Sequence, residues 1–216
     1  MVNSLIVNRL QFVKHILDFN FAAGTSRGVL HQKPSWIIKL FNHSQPHVAG
    51  YGECSIIPGL SVDNEAEIVP CLRQISKDLE NDQPVNWQLV SQLPSVRFGL
   101  ETAIADFRNQ GQRILFPSTF TQGEAGIPIS GLIWMGDAAF MRKQITIKLN
   151  AGFNCLKLKI GALNFDDELT ILREIRKSFS CNVLELRVDA NGAFNQADVF
   201  NKLERLSHFQ LHSIEQ

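Results

Sequence analysis

The chain has 216 residues, 44% of them hydrophobic, and its 21 basic and 21 acidic side chains leave no formal net charge. That is a globular composition with enough apolar residues for one or two cored domains, and without a basic cluster interleaved with aromatics it argues against a nucleic-acid partner. No apolar run approaches the roughly 20 residues that cross a bilayer, and the N-terminus alternates and carries charge where a signal peptide would be apolar, so a cytoplasmic protein with no membrane partner is expected.

The first region, residues 1–126, opens with alternating segments, Leu5–Val13 and Trp36–Phe41, which read as antiparallel strands. Between them Ala23-Gly-Thr-Ser-Arg-Gly28 reads as a polar, glycine-flanked loop, and Cys54–Ser61, with Pro58-Gly59, as a second. Ile68, Leu72, Ile75 and Leu79 then share a helical face, with Asn64 or Asp63 as N-cap. Leu100, Ala103, Ile104 and Phe107 repeat that pattern after Pro94. Strands followed by helices make this an α+β domain. His43 and His47 lie in a turn marked by Pro46 and Gly50, and His208 and His212 straddle a helix end and a strand start, so neither pair shares a face for zinc. Cys54, Cys71, Cys155 and Cys181 form no C-x-x-C pair and are expected as free thiols.

The second region, residues 127–216, changes rhythm. Apolar strand-like runs begin near Ile127, Asn154, Val183 and Leu211, a repeat of about 28 residues. Amphipathic segments lie between them: Asp137–Leu149 closed by Gly152, a stripe of Leu169, Leu172, Ile175 and Phe179, and one of Val199, Leu203 and Leu206 started by Asn195. Such alternation implies a parallel sheet with right-handed crossovers. An open doubly wound sheet would carry a glycine-rich loop after its first strand, but here that strand ends Trp134-Met-Gly-Asp137. A closed (β/α)8 barrel needs eight units, on the order of 225 residues at this repeat. About four are present, so a fragment is expected.

Period-two alternation puts Lys157 and Lys159 on one face of their strand, and Glu185, Arg187 and Asp189 on one face of the next. The fourth strand brings Glu215 to its own C-terminal end. Buried parallel strands are normally apolar on both faces, so these three strand ends are unusual. Charges gathered in a low-dielectric site need ion pairing or a metal. Two carboxylates on neighbouring strands suit a hard cation such as Mg²⁺, and a lysine beside a bound substrate carboxylate can act as a base. Spacing alone leaves open a salt-bridge network on an open sheet, and Arg187 as an ordinary ion-pair partner.

Lys157-Leu-Lys159, Arg187-Val-Asp-Ala-Asn191-Gly and Ser213-Ile-Glu215-Gln resemble the enolase superfamily, and within it the o-succinylbenzoate synthases of menaquinone biosynthesis. Gly24-Thr-Ser-Arg-Gly28, Gly50-Tyr-Gly-Glu-Cys-Ser55 and Ser95-Val-Arg-Phe-Gly-Leu-Glu101 resemble the capping domain of that group. The resemblance implies an α+β capping domain followed by the first half of a (β/α)8 barrel. It implies Lys159 as the acid/base, Lys157 as its electrostatic support, and Asp189 and Glu215 as Mg²⁺ ligands. Arg187, Asn191, Thr25, Ser26 and Arg27 would contact a small-molecule carboxylate substrate, and the loops at 25–28 and 56–60 would close over it. The implied activity is that of a hydro-lyase: a cyclohexadiene carboxylate bearing a succinyl chain (SHCHC) loses water to give o-succinylbenzoate. A third metal ligand and a second lysine, expected on later strands, fall outside the chain, so the fragment is expected to bind Mg²⁺ weakly, to turn over little substrate and to self-associate through its open half-barrel. Two other readings remain: a racemase or epimerase of the same superfamily, acting on N-succinylamino acids or dipeptides, and a non-catalytic truncated gene product.

Overall fold

The computed structural model describes residues 7–25 and 28–216, and the side chains among them except those of 21–25. Three strands come first: β1 (Arg9–Thr25), β2 (Gly28–Asn42) and β3 (Gln45–Ser55). They form one sheet in the order β1-β2-β3, with β2 and β3 antiparallel from Ser35↔Ser55 to Phe41↔Ala49. The expected loop at residues 23–28 is a correction. β1 continues through Thr25 and β2 begins at Gly28, because ladder pairing carries small residues of weak strand propensity along with it. Ser26 and Arg27, expected to touch substrate, lie outside the described residues, as do Leu5 and the side chain of Thr25.

Three helices follow: α1 (Glu65–Glu80), α2 (Trp87–Val90) and α3 (Pro94–Arg108). Asn64 caps α1, its side chain accepting the Ala66 N–H, and Ile68, Cys71, Leu72, Ile75 and Leu79 are buried as the apolar stripe requires. Asp63, the other candidate cap, serves a different helix: its Oδ1 accepts both the Ser95 N–H at 2.9 Å and the Ser95 hydroxyl at 2.8 Å, at the start of α3. α3 lies directly against β3. A Cβ at Gly52 would stand 1.9 Å from the Gly99 carbonyl oxygen, and one at Gly50 2.0 Å from that of Ala103. The glycines of Gly50-Tyr-Gly52 therefore let strand and helix backbones meet.

The remaining elements alternate: β4 (Gly131–Ile133), α4 (Ala138–Asn150), β5 (Cys155–Lys159), α5 (Phe165–Ser178), β6 (Glu185–Asp189), α6 (Val199–Ser207) and β7 (Ser213–Glu215). The four strands form one parallel sheet in sequence order. This is the β/α half-barrel architecture read from the repeat. β4 starts later than the expected Ile127, since Pro128 has no N–H to give to a ladder. Asp137 caps α4, accepting the Phe140 N–H at 2.8 Å. α6 begins at Val199 rather than at Asn195, whose side chain instead folds a turn by accepting the Ala197 N–H. Leu156, Leu158, Leu186 and Val188 are fully buried and join Ile133, Leu169, Leu172 and Leu206 in one core between sheet and helices. The other sheet face carries Lys157, Lys159, Glu185 and Arg187, all partly exposed.

The chain divides into two units: residues up to Asn20 with His31–Gly126, and Phe21–Leu30 with Ile127–Gln216. Among the described residues no helix is long and apolar enough to cross a membrane. All four cysteines are free, and burial pushes the Cys54 thiol up to about 12.

Candidate active site

Parallel pairing sets the site. Lys159 is in register with Asp189, and Asp189 with Glu215, so three strands place three charged residues in one row. Backbone bonds hold that row: the Ile160 N–H donates to the Asp189 carbonyl and the Ala190 N–H to that of Glu215, each at 2.9 Å. One row lower, Leu132, Lys157, Arg187 and Ser213 are in register.

The side chains converge on Asp189, which is 3% exposed. Lys159 Nζ donates to Asp189 Oδ2 at 2.6 Å and to Asn191 Oδ1 at 2.9 Å. Lys157 Nζ lies 3.4 Å from Asp189 Oδ2 and 2.7 Å from the Glu215 carboxylate, so one ammonium bridges two carboxylates on adjacent strands. Asp189 Oδ1 accepts the Asn191 N–H at 2.9 Å. Burial pushes the Asp189 carboxyl up, but Lys159, the Asn191 N–H and Lys157 together outweigh it and hold the group below the usual aspartate range. The hydrogen bond to Glu215, partly offset by burial, holds the Lys157 ammonium above its usual range.

Of the residues singled out in the sequence, Lys157, Lys159, Asp189, Asn191 and Glu215 therefore come together. Arg187 takes a separate partner on its own strand, donating to Glu185 Oε1 at 2.6 Å. Cys155 Sγ shares that carboxylate at 3.3 Å.

Two flanking residues escaped the sequence reading. The Trp134 ring stands 6.0 Å from Lys159 Nζ, close enough for a cation–π contact. Gln144 of α4 holds that residue's backbone from both sides, accepting its N–H and donating to its carbonyl, each at 3.0 Å. The signal was the parity of β4: Trp134 follows Leu132, which faces Lys157 across the ladder.

The site's donor set fits a hard divalent cation. Asp189 and Glu215 already converge on one cationic group, the Lys157 ammonium, and both offer oxygen. Among the described residues no group of three or more His, Cys, Asp or Glu side chains is placed to hold a metal.

Comparison with known proteins agrees with this fold. The enolase C-terminal domain-like family matches residues 141–216. An o-succinylbenzoate synthase from Desulfotalea psychrophila is 43% identical over 96% of this chain, which spans 64% of that relative's length. The crystal structure of MenC from the same organism superposes with a TM-score of 0.80 at 38% identity, over 96% of this chain and 64% of that one. The o-succinylbenzoate synthase of Thermosynechococcus elongatus, complexed with Mg in its active site, shares the fold, with a TM-score of 0.71 at 20% identity over 95% of this chain and 59% of that one. With a parallel β/α half-barrel and lysines and carboxylates in one row at its strand ends, the chain is similar to enolase-superfamily proteins, and residues 141–216 match the C-terminal domain family of that group.

Proposed function

We propose that this chain is the capping domain (1–126) and first half-barrel (127–216) of an o-succinylbenzoate synthase-type hydro-lyase, cytoplasmic and acting on SHCHC. The observation that carries the reading is the row Lys159–Asp189–Glu215, with Lys157 bridging the two carboxylates. A base must lie within hydrogen-bond reach of the proton it takes, and Lys159 is fixed by Asp189 and Asn191 at the mouth of the sheet. In this reading Lys159 removes the proton α to the substrate carboxylate and returns it to the departing hydroxyl. Lys157 adds positive charge beside it, and Asn191 orients the Lys159 side chain. Arg187, Thr25, Ser26 and Arg27 are assigned to the substrate's carboxylates.

Asp189 and Glu215 would hold Mg²⁺, which when bound would neutralise the charge that develops on the substrate carboxylate. Its third protein ligand is assigned to residues outside these 216. Sequence identity supports the synthase over the epimerase reading: two synthase relatives are 43% identical over 96% of this chain and 36% over 54% of it, and a hydrophobic dipeptide epimerase of Enterococcus faecalis is 21% identical over 88%.

The test is an assay of SHCHC dehydration, run beside N-succinylamino acids and dipeptides, on this chain and on a longer parent containing it. Lys159→Ala in the active form is expected to lower turnover by about 10²–10⁴-fold, the usual contribution of a positioned acid/base. Racemisation of an N-succinylamino acid faster than SHCHC turnover would transfer the assignment to the epimerases. Robust SHCHC turnover by the 216-residue chain alone would overturn the ligand assignment.

A further inference from the structure

Glu168 stands in the first turn of α5, where acidic side chains normally point into water to meet the helix N-terminus. Its neighbours Asp166 and Asp167 are exposed, but Glu168 is only 3% exposed. Its Oε1 accepts the Gly161 N–H at 2.6 Å and the Leu163 N–H at 3.2 Å, and Oε2 has no hydrogen-bond partner among the described residues. Burying a carboxylate costs several kcal/mol, and this one is spent on a single short segment, the loop that leaves β5 directly after Lys159.

That loop has no slack. Ile160, between Lys159 and Gly161, is tied by its N–H to the Asp189 carbonyl at 2.9 Å. Gly161 has φ +93°, a conformation disfavoured for any side chain, and a Cβ there would lie 2.4 Å from that of Ala193. Ala193 belongs to the turn that leaves β6 after Asp189, closed by its N–H to the Ala190 carbonyl at 2.9 Å. The loop after the lysine and the turn after the aspartate are thus pressed together at Gly161 and Ala193, and Glu168 clamps the first from behind.

We propose that Glu168 is a positioning residue for Lys159, its carboxylate fixing the Gly161–Leu163 loop so that the lysine stays in register with Asp189 and Asn191. The proposal rests on the reading of Lys159 as acid/base for its purpose, but its test reads geometry and not turnover. An anion serves better than a neutral acceptor because charge-assisted hydrogen bonds are about twice as strong.

The test compares wild type with Glu168→Ala and Glu168→Gln in the 216-residue chain. Backbone amide exchange is read at residues 160–163, and limiting acylation of Lys159 is read against the exposed Lys77 and Lys143 as internal references. Glu168→Ala is expected to speed exchange at Gly161 and Leu163 about tenfold or more, as loss of a hydrogen bond to a charged group implies. It should also raise Lys159 labelling several-fold against the references. Glu168→Gln, which keeps the shape and one acceptor oxygen but loses the charge, should fall between the two, with Lys159 labelling about twofold above wild type. Faster loop exchange with unchanged Lys159 labelling would overturn the proposal, leaving Glu168 as a loop brace only; so would no change in either. If Glu168→Ala unfolds the unit, Glu168→Gln decides alone: Lys159 labelling equal to wild type overturns the proposal and a rise of about twofold supports it. Failure of the acid/base reading is separate, since an inert Lys159→Ala effect on turnover leaves the labelling result untouched.

Discussion

Glu168 and Asp189 are both about 3% exposed, yet their surroundings move them in opposite directions. Asp189 faces two lysines and is held below its usual range, whereas Glu168 is raised, since burial exceeds the help of the Gly161, Leu163 and Ala162 N–H groups and of the more distant Lys202 charge. The sign for stability follows. An acid whose folded value exceeds its unfolded 4.5 binds more protons when folded between those two values, so its contribution falls as pH rises through that window. Wild type should therefore gain stability relative to Glu168→Gln as pH is lowered from 7 towards 4.5. Urea midpoints of the two proteins at several pH values check this, and a difference that is flat or of opposite slope refutes it. Lys157 and Lys159 were legible as a pair because strand alternation puts them on one face. Glu168 was not, because a carboxylate in a first helical turn looks like an ordinary dipole partner until its loop is seen folded over it.

At the scale of elements, the periodic segments were the most legible. The stripes of α1, α3 and α5 bury most of the residues their spacing picks out, with Ile104 and the capping Phe179 only partly covered, since a 3.6-residue period has one apolar face to hide. Boundaries were less so: β1 runs through Gly24, and α6 starts four residues after Asn195, because strand pairing and turn formation outweigh local propensity. Gly50-Tyr-Gly52 could be matched to a family but not explained from sequence, since its cause is the approach of α3, some fifty residues later. The consequence is testable. A Cβ at Gly52 meets backbone, the Gly99 carbonyl at 1.9 Å, and no rotamer change can relieve it. Gly52→Ala should cost at least the 1–3 kcal/mol typical of overpacking, or about 3 kcal/mol here. Gly59→Ala is the control for added bulk, as nothing lies within 4 Å of its Cβ position, with a smaller cost from its φ of +77°. Chemical denaturation of both variants checks the contrast, and equal midpoints would show that β3 and α3 can separate without penalty.

At the scale of the whole molecule, the chain spans 64% of the Desulfotalea psychrophila relative's length, and its chemistry must be judged by the groups it holds. The parallel sheet has β4 and β7 at its edges among the described residues. Unpaired strand edges are templates for another chain, so self-association that strengthens with loading concentration is expected in sedimentation velocity, and a single monomer boundary at every loading would exclude it. Metal affinity is the sharper measure. Mg²⁺ demands near-octahedral oxygen coordination and gives up its waters reluctantly. Among the described residues it would meet Asp189 and Glu215, and would first have to displace the Lys157 ammonium that already bridges them. The competing cation is covalently attached and therefore always present, so the free energy of metal binding is reduced by the pairing it breaks. Isothermal titration of the 216-residue chain should accordingly give a dissociation constant on the order of millimolar or weaker. Lys157→Met, which removes the competitor while leaving both carboxylates, should tighten it, and Glu215→Gln should abolish it. Micromolar binding by the unaltered chain, or no response to Lys157→Met, would show that the bridge between the two carboxylates is not where the metal goes.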